Sequence, residues 1–279
     1  MADLIGRKAV AAAKRRRAAK RAGSRGYEVG WLFASSKSTI VWDEPKPVRQ
    51  DHAQGQSQKS VSLCPAVIEF DRRHFVITCP IDLHLRPEIS RDGKLNLTNV
   101  LGDTGATRSS TIKQMLTIMP QHEWRHPQRP VLQLVTPYLF VSDDPVYINQ
   151  FPPFLHFNPV QRPGVQLSGR FPIDVWPRVL MWAFEWHDLT KDLILKRGEP
   201  WFYVRFEGPD PSASVRLFEA EKTPELTSYL DSNADVTNFV NRTFSLFKTA
   251  RERRPDKLVQ PKAQAGGTIQ SRMSGPIQP

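Results

Sequence analysis

From Phe75 to Leu85 every second residue is apolar: Phe75, Ile77, Cys79, Ile81, Leu83 and Leu85, with His74, Thr78, Asp82 and His84 among the alternates. Successive side chains of an extended chain point to opposite faces, so this run predicts a strand with one buried face. Val179–Trp186 repeats the pattern with bulkier residues, placing Leu180, Trp182, Phe184 and Trp186 together. Such faces must be covered by another apolar layer. The chain therefore reads as mainly β, an antiparallel sandwich or a distorted barrel.

Other stretches fill in the order of elements. Tyr27–Phe33 and Ser38–Trp42 read as the first strands, and a polar linker spans roughly 44–60. A two-residue turn at Asp71-Arg72 makes residues whose numbers sum to 143 face each other: Ile68 with Phe75, Ala66 with Ile77, and Cys64 with Cys79. Ile112, Met115, Leu116 and Met119 at i, i+3, i+4 and i+7 behind Ser109-Ser110 predict a short capped helix over 109–119. In LILKRGEPWFYVRF (193–206), Gly198 permits a tight turn and Pro200 suits a strand start, so the stretch reads as a hairpin. Thr223-Pro224 opens a helix with Thr as cap. A second helix, about 235–253, carries Val236, Phe239, Val240, Phe244 and Phe247. The expected organisation is a basic N-terminal arm (1–26), a β-rich domain (27–221), C-terminal helices (222–254) and a disordered tail (255–279).

Charge is segregated along these 279 residues. Residues 1–26 hold nine basic side chains (Arg7, Lys8, Lys14, Arg15, Arg16, Arg17, Lys20, Arg21, Arg25) and one acid, Asp3, for +8 of the formal +11. Residues 248–279 carry seven basic and two acidic groups, for +5, which leaves −2 for 27–247. Blocks of like charge stay solvated and act as interaction arms. Flexible cations neutralise phosphates and release counterions, giving salt-sensitive, sequence-independent binding. Neither end carries an aromatic residue able to stack on bases past Lys248 or before Gly26. No apolar run reaches the length of a spanning helix, and no signal peptide is evident. A cytoplasmic protein is expected, or a virion-associated one if phage-encoded.

The segments LCPAVIEFDRRHFVITCPIDLHLR, PQHEWRHPQRPVLQLVTPYLF, FPIDVWPRVLMWAFEW and KRGEPWFYVRF, in that order over about 61–207, resemble an uncharacterised bacterial and phage family, a domain of unknown function. That resemblance implies no catalytic residue. The Gly-Glu-Pro turn is also similar to the last hairpin of nucleotide-hydrolysing β-clip folds, which implies a small-ligand module for a nucleotide or sugar.

Three motifs bear on chemistry. His122-Glu123-Trp124-Arg125-His126 has the H-E-x-x-H spacing of zinc hydrolases, in which one helix face presents His122 and His126 to the metal and Glu123 to water. Pro120 and Pro127 oppose that helix, Arg125 is an awkward neighbour for a dication, and no third ligand stands out downstream, though His156, Glu185 and His187 exist. The alternative is a Pro-punctuated connection with Trp124 tucked inward. Cys64 and Cys79, the only cysteines, read as small core residues, with a redox pair or half a metal site as the alternative. No His-x-Asp or His-x-Glu occurs, which removes the facial triad of non-haem iron oxygenases. His74, Asp82, His84 and Arg86 share the polar face of the long strand, as a solvated face or a pocket wall. The expected function is non-enzymatic: a binding or structural protein without a cofactor, its arms on nucleic acid or another polyanion, self-associating and not membrane-bound. A zinc-dependent hydrolase and a small-ligand β-clip module are the alternatives.

Overall fold

A computed structural model describes residues 26–34, 40–48, 64–66, 68, 73–91, 94–103, 107–156, 158, 160–211, 213–239 and 243–263. In chain order the strands are β1 (Tyr27–Phe33), β2 (Lys46–Pro47), β3 (His74–Thr78), β4 (Leu83–Ile89), β5 (Leu95–Asn99), β6 (Leu116–Ile118), β7 (Val131–Val141), β8 (Tyr147–Phe151), β9 (Gly164–Leu167), β10 (Arg170–Pro172), β11 (Val179–Trp186), β12 (Leu193–Leu195), β13 (Pro200–Glu207) and β14 (Val215–Glu219). The helices are α1 (Ser109–Met115), α2 (Pro224–Phe239) and α3 (Thr243–Arg253). The fold is mainly β with a C-terminal helical pair, and among the described residues its three sheets stay open rather than closing into a barrel.

The first sheet runs β14-β1-β7-β11-β9, with β6 beside β7. All its pairs are antiparallel except β1–β14. The second runs β10-β8-β13-β3-β2, and the third β12-β4-β5. Alternation explains how the first two meet. Leu180, Trp182, Phe184 and Trp186 are all buried on one face, as their spacing predicts, and join Trp31, Tyr138 and Phe140 in the core. Phe75, Ile77, Trp201, Val204 and Phe206 belong to the same cluster from the opposing sheet. Trp182 bridges the two layers, stacked on Phe184 with ring centroids 5.2 Å apart and tilted against Trp201 at 5.4 Å.

The long alternating run keeps its buried face but is not one strand. β3 pairs with β13 in the second sheet, while β4 pairs with β12 in the third. Between them the Cys79 N–H donates to the Glu199 carbonyl at 2.9 Å, and the Gly198 N–H to the Cys79 carbonyl at 2.8 Å. One antiparallel ribbon therefore continues from sheet to sheet and bends at Pro80 and Gly198, where φ is +81°. This corrects the hairpin expected over 193–206: the tight turn is present, but β12 and β13 do not pair with each other. The turn of the other expected hairpin, Asp71-Arg72, lies outside the described residues, and among those described no strand from 64–68 pairs with β3. Residues 65, 66 and 68 are helical, Cys64 is exposed and Cys79 buried, and the partners of β3 are β13 and β2. A matched apolar register is satisfied equally well by a strand more than a hundred residues away.

The helix expected over 109–119 stops at Met115, and Leu116–Ile118 continues as β6 against Leu132–Leu134. β-branched Thr117 and Ile118 gain more from the sheet than from one further turn. Its cap is not a serine: the Ser109 N–H donates to Asp103 Oδ1 at 2.7 Å. The cap of α2 is as expected, with the Leu226 N–H donating to Thr223 Oγ1 at 3.1 Å.

A second apolar layer covers the outer face of the first sheet. Leu32, Leu139 and Val141 pack with Ala220, Leu226, Tyr229, Leu258 and Val259. The packed chain thus runs beyond the expected boundary at 255. Leu258 and Val259 are buried, the Glu221 N–H donates to the Gln260 carbonyl at 2.8 Å, and the Lys262 N–H donates to the Glu219 carbonyl at 3.0 Å. Two apolar residues in a polar tail were enough to anchor it, because Gly30 leaves room: a Cβ there would lie 2.7 Å from the Ala220 Cβ and 3.0 Å from Val259 Cγ1. Residues 264–279 lie outside the described residues. No helix of the described residues is long and apolar enough to cross a membrane.

Candidate functional site

Arg7, Lys8, Lys14, Arg15, Arg16, Arg17, Lys20, Arg21 and Arg25 all lie outside the described residues. The described chain begins beside Ser214, whose carbonyl accepts from the Tyr27 N–H at 2.8 Å. Within the basic C-terminal stretch, residues 248–263 are described, and two of their cations are neutralised within the fold. Arg254 Nη2 donates to Asp143 Oδ1 at 2.7 Å and to the Ser142 carbonyl at 3.0 Å, and its Nε donates to the Asp174 carbonyl. Asp143 also accepts the Leu258 N–H at 2.8 Å and the Val259 N–H at 3.2 Å. Lys262 pairs with Glu219 at 2.6 Å. Residues 254–262 are thus a latch held on the sheet. Lys248, Arg251, Arg253 and Lys257 remain exposed.

The Asp174 carboxyl beside this latch is pushed up to about 6 by burial, with Arg251 and Arg254 acting in the opposite direction. A raised carboxyl penalises the fold while charged, and that penalty disappears as pH falls through the folded value. An Asp174→Asn variant is therefore expected to exceed the wild type in stability by up to about 3 kcal/mol near pH 7, with the gap closing between about pH 6 and pH 4. Urea unfolding across that range measures it, and a gap that ignores pH would refute the assignment.

The helix that H-E-x-x-H chemistry needs does not form. Gln121–Glu123 is a single 3-10 turn, and Trp124 is already extended at φ −74°, ψ 138°. His122 is largely exposed and lies 3.8 Å from Glu123, while His126 forms an isolated bridge with Arg129. The prolines on either side decide the local backbone. Trp124 instead donates from Nε1 to the Met119 carbonyl at 2.7 Å, which ties down the connection. Among the described residues no group of three or more His, Cys, Asp or Glu is placed to hold a metal.

What the connection does place is Arg125. Its Nε donates to Glu185 Oε2 at 2.6 Å, and His187 Nε2 lies 2.8 Å from Glu185 Oε1. Glu185 is 2% exposed. The Arg125 hydrogen bond, aided by His187, holds its carboxyl below the usual carboxylate range against the cost of burial. The residue that looked wrong for a metal ligand set is thus the partner of a buried carboxylate.

The polar face of the long run is tied up in a similar way. His84 Nε2 lies 2.7 Å from Asp192 Oδ2, and Arg86 donates to the same carboxylate from Nε at 3.1 Å and Nη2 at 2.9 Å. The Arg86 hydrogen bond, joined by His84, lowers the Asp192 carboxyl. Asp82 accepts the Arg197 N–H at 3.0 Å. His74 is buried, its ring 5.9 Å from that of Phe151. Asp82, His84 and Arg86 thus fasten β4 to the start of β12 and the Gly198 turn.

Sequence reading missed the Glu185–His187 pair because it looked for His-x-Glu. Glu185-Trp186-His187 is the reverse order, and residues two apart at a strand end share a face. The Arg125 partner, 60 residues away, had no local signal. Against protein-family models, curated proteins and solved structures, the chain shows no match.

Proposed function

We propose that this is a binding or structural protein whose N-terminal basic segment contacts nucleic acid or another polyanion. The observation that carries the reading is the placement of charge. Residues 1–26 hold +8 of the formal +11, so the remaining 253 residues carry only +3. The latch strengthens the contrast, since Arg254 and Lys262 are engaged by Asp143 and Glu219. A charge block with no aromatic residue recognises phosphates rather than bases, so binding is expected to be indifferent to sequence and steeply weakened by salt.

The test uses the full chain and a variant with Lys14, Arg15, Arg16 and Arg17 all replaced by alanine. Fluorescence anisotropy on labelled duplex DNA and on RNA is recorded over a range of salt. On duplex DNA the log–log salt slope is expected to become shallower by about 3 to 4 in the variant, or about 0.9 for each phosphate no longer neutralised. Equal slopes and affinities in the two proteins would remove the segment from the interface and the reading with it.

A further inference from the structure

The connection from Arg125 to Arg129, the residues after β11 and the end of β4 enclose a groove of about 620 Å³. His126, Gln128, Arg129, His187 and Asp188 line it, with Ile89 and Leu189 as its apolar wall. Each of the two nearby acids already has a cation of its own, Lys191 for Asp188 and Arg125 for Glu185. Asp188 Oδ1 accepts from the Thr190 hydroxyl at 2.6 Å and from the Thr190 N–H at 3.1 Å, and Oδ2 pairs with Lys191 at 3.1 Å. Both oxygens of Glu185 are occupied by Arg125 and His187. Among the described residues, Arg129 takes part in no ion pair.

The two imidazoles are set in opposite senses. Ionised Glu185 can only accept, so His187 Nε2 carries the proton of their 2.8 Å bond. In neutral His187 the other nitrogen, Nδ1, is then a bare acceptor. His126 is the reverse: the Gln128 N–H donates to its Nδ1 at 3.1 Å, so neutral His126 carries its proton on Nε2. The groove wall thus combines a guanidinium, an imidazole donor and an imidazole acceptor. A carboxylate or sulfate offers that acceptor no donor, whereas hydrogen phosphate or a phosphate monoester monoanion brings several acceptor oxygens and one hydroxyl.

We propose that this groove is a binding site for such a phosphate group, gripped by Arg129 and His126 and donating its hydroxyl proton to His187 Nδ1. Ile89, 48% exposed at the groove edge, and Leu189 face the organic part of an ester. The groove lies at the end of β7 away from β1, the first described strand. Val131 at one end of β7 pairs with Glu185, and Val141 at the other pairs with Gly30. Ten residue steps along β7 hold those two ends about 33 Å apart.

The experiment is a titration of the histidine-labelled full chain with inorganic phosphate at about pH 8, followed by NMR of the ring signals. His126→Gln and His187→Gln variants assign the two rings. Phosphate is expected to shift both in a saturable way, with sulfate and the Arg129→Ala variant each weaker by about tenfold or more, the loss of one charge-assisted hydrogen bond. Arg129 is exposed and its replacement leaves the core untouched. The variant lacking Lys14, Arg15, Arg16 and Arg17 is expected to bind phosphate like the wild type. Absence of saturable shifts, equal binding of sulfate, an unaffected Arg129→Ala, or loss of binding in the Lys14–Arg17 variant would each overturn the proposal.

Discussion

Replacing Trp182 by alanine is expected to lower the stability of this protein by about 3–5 kcal/mol, the range found when a large aromatic leaves a core that closes only partly around the gap. The side chain is fully buried. It contacts Phe184 within its own sheet and Trp201 across the sandwich, and the Arg162 guanidinium lies 5.9 Å from its ring centroid. Arg162 donates to the Pro200 and Trp201 carbonyls, so losing the indole also removes the surface on which that guanidinium rests. Trp182→Phe is expected to cost far less, because it keeps most of the ring and removes an indole N–H that has no hydrogen-bond partner among the described residues. Urea unfolding should show a large fall in midpoint for Trp182→Ala at unchanged slope. A loss below about 1 kcal/mol would mean that the two sheets do not meet at this residue.

Asp143→Ala is expected to destabilise by about 2–3 kcal/mol and to free the C-terminal strap. Arg254 is only 12% exposed, and removing its carboxylate leaves a cation and two backbone N–H groups, those of Leu258 and Val259, without their acceptor. Breaking a buried pair costs about 3–5 kcal/mol. The 31% exposure of Asp143 brings the figure down, since water can partly replace it. Limited proteolysis supplies the specific readout: cleavage within 255–263 should accelerate in Asp143→Ala while cleavage within β7 and β11 does not. The control Lys262→Ala should change little, because its pair with Glu219 is exposed. Equal protection of the strap in Asp143→Ala and wild type would show that Leu258 and Val259 hold it unaided.

Side-chain period proved a sound guide to which face is buried and a poor guide to which strand lies alongside. Phe75, Ile77, Cys79, Leu83 and Leu85 are all buried, as alternation requires, although the run belongs to two sheets. Likewise Gly198 has the positive φ expected of its turn, while the strands on either side go to different partners. The Thr223 cap was legible because a cap is settled within four residues; the Asp103 cap was not, because its acceptor sits six residues upstream.

By itself the sequence determined the β class, the inward faces of β3, β4 and β11, and the separation of a basic N-terminal block from a nearly neutral remainder. Each of these follows from spacing or from counting charges, which are local or additive properties of the chain. The tertiary structure alone decided that β3 and β4 pair with β13 and β12, that Arg254 is held by Asp143 across 111 residues, and that Arg125 and His187 meet on Glu185. Pairing partners and buried carboxylate contacts depend on which distant segments the packed core brings together, and a two-residue period carries no information about distance along the chain.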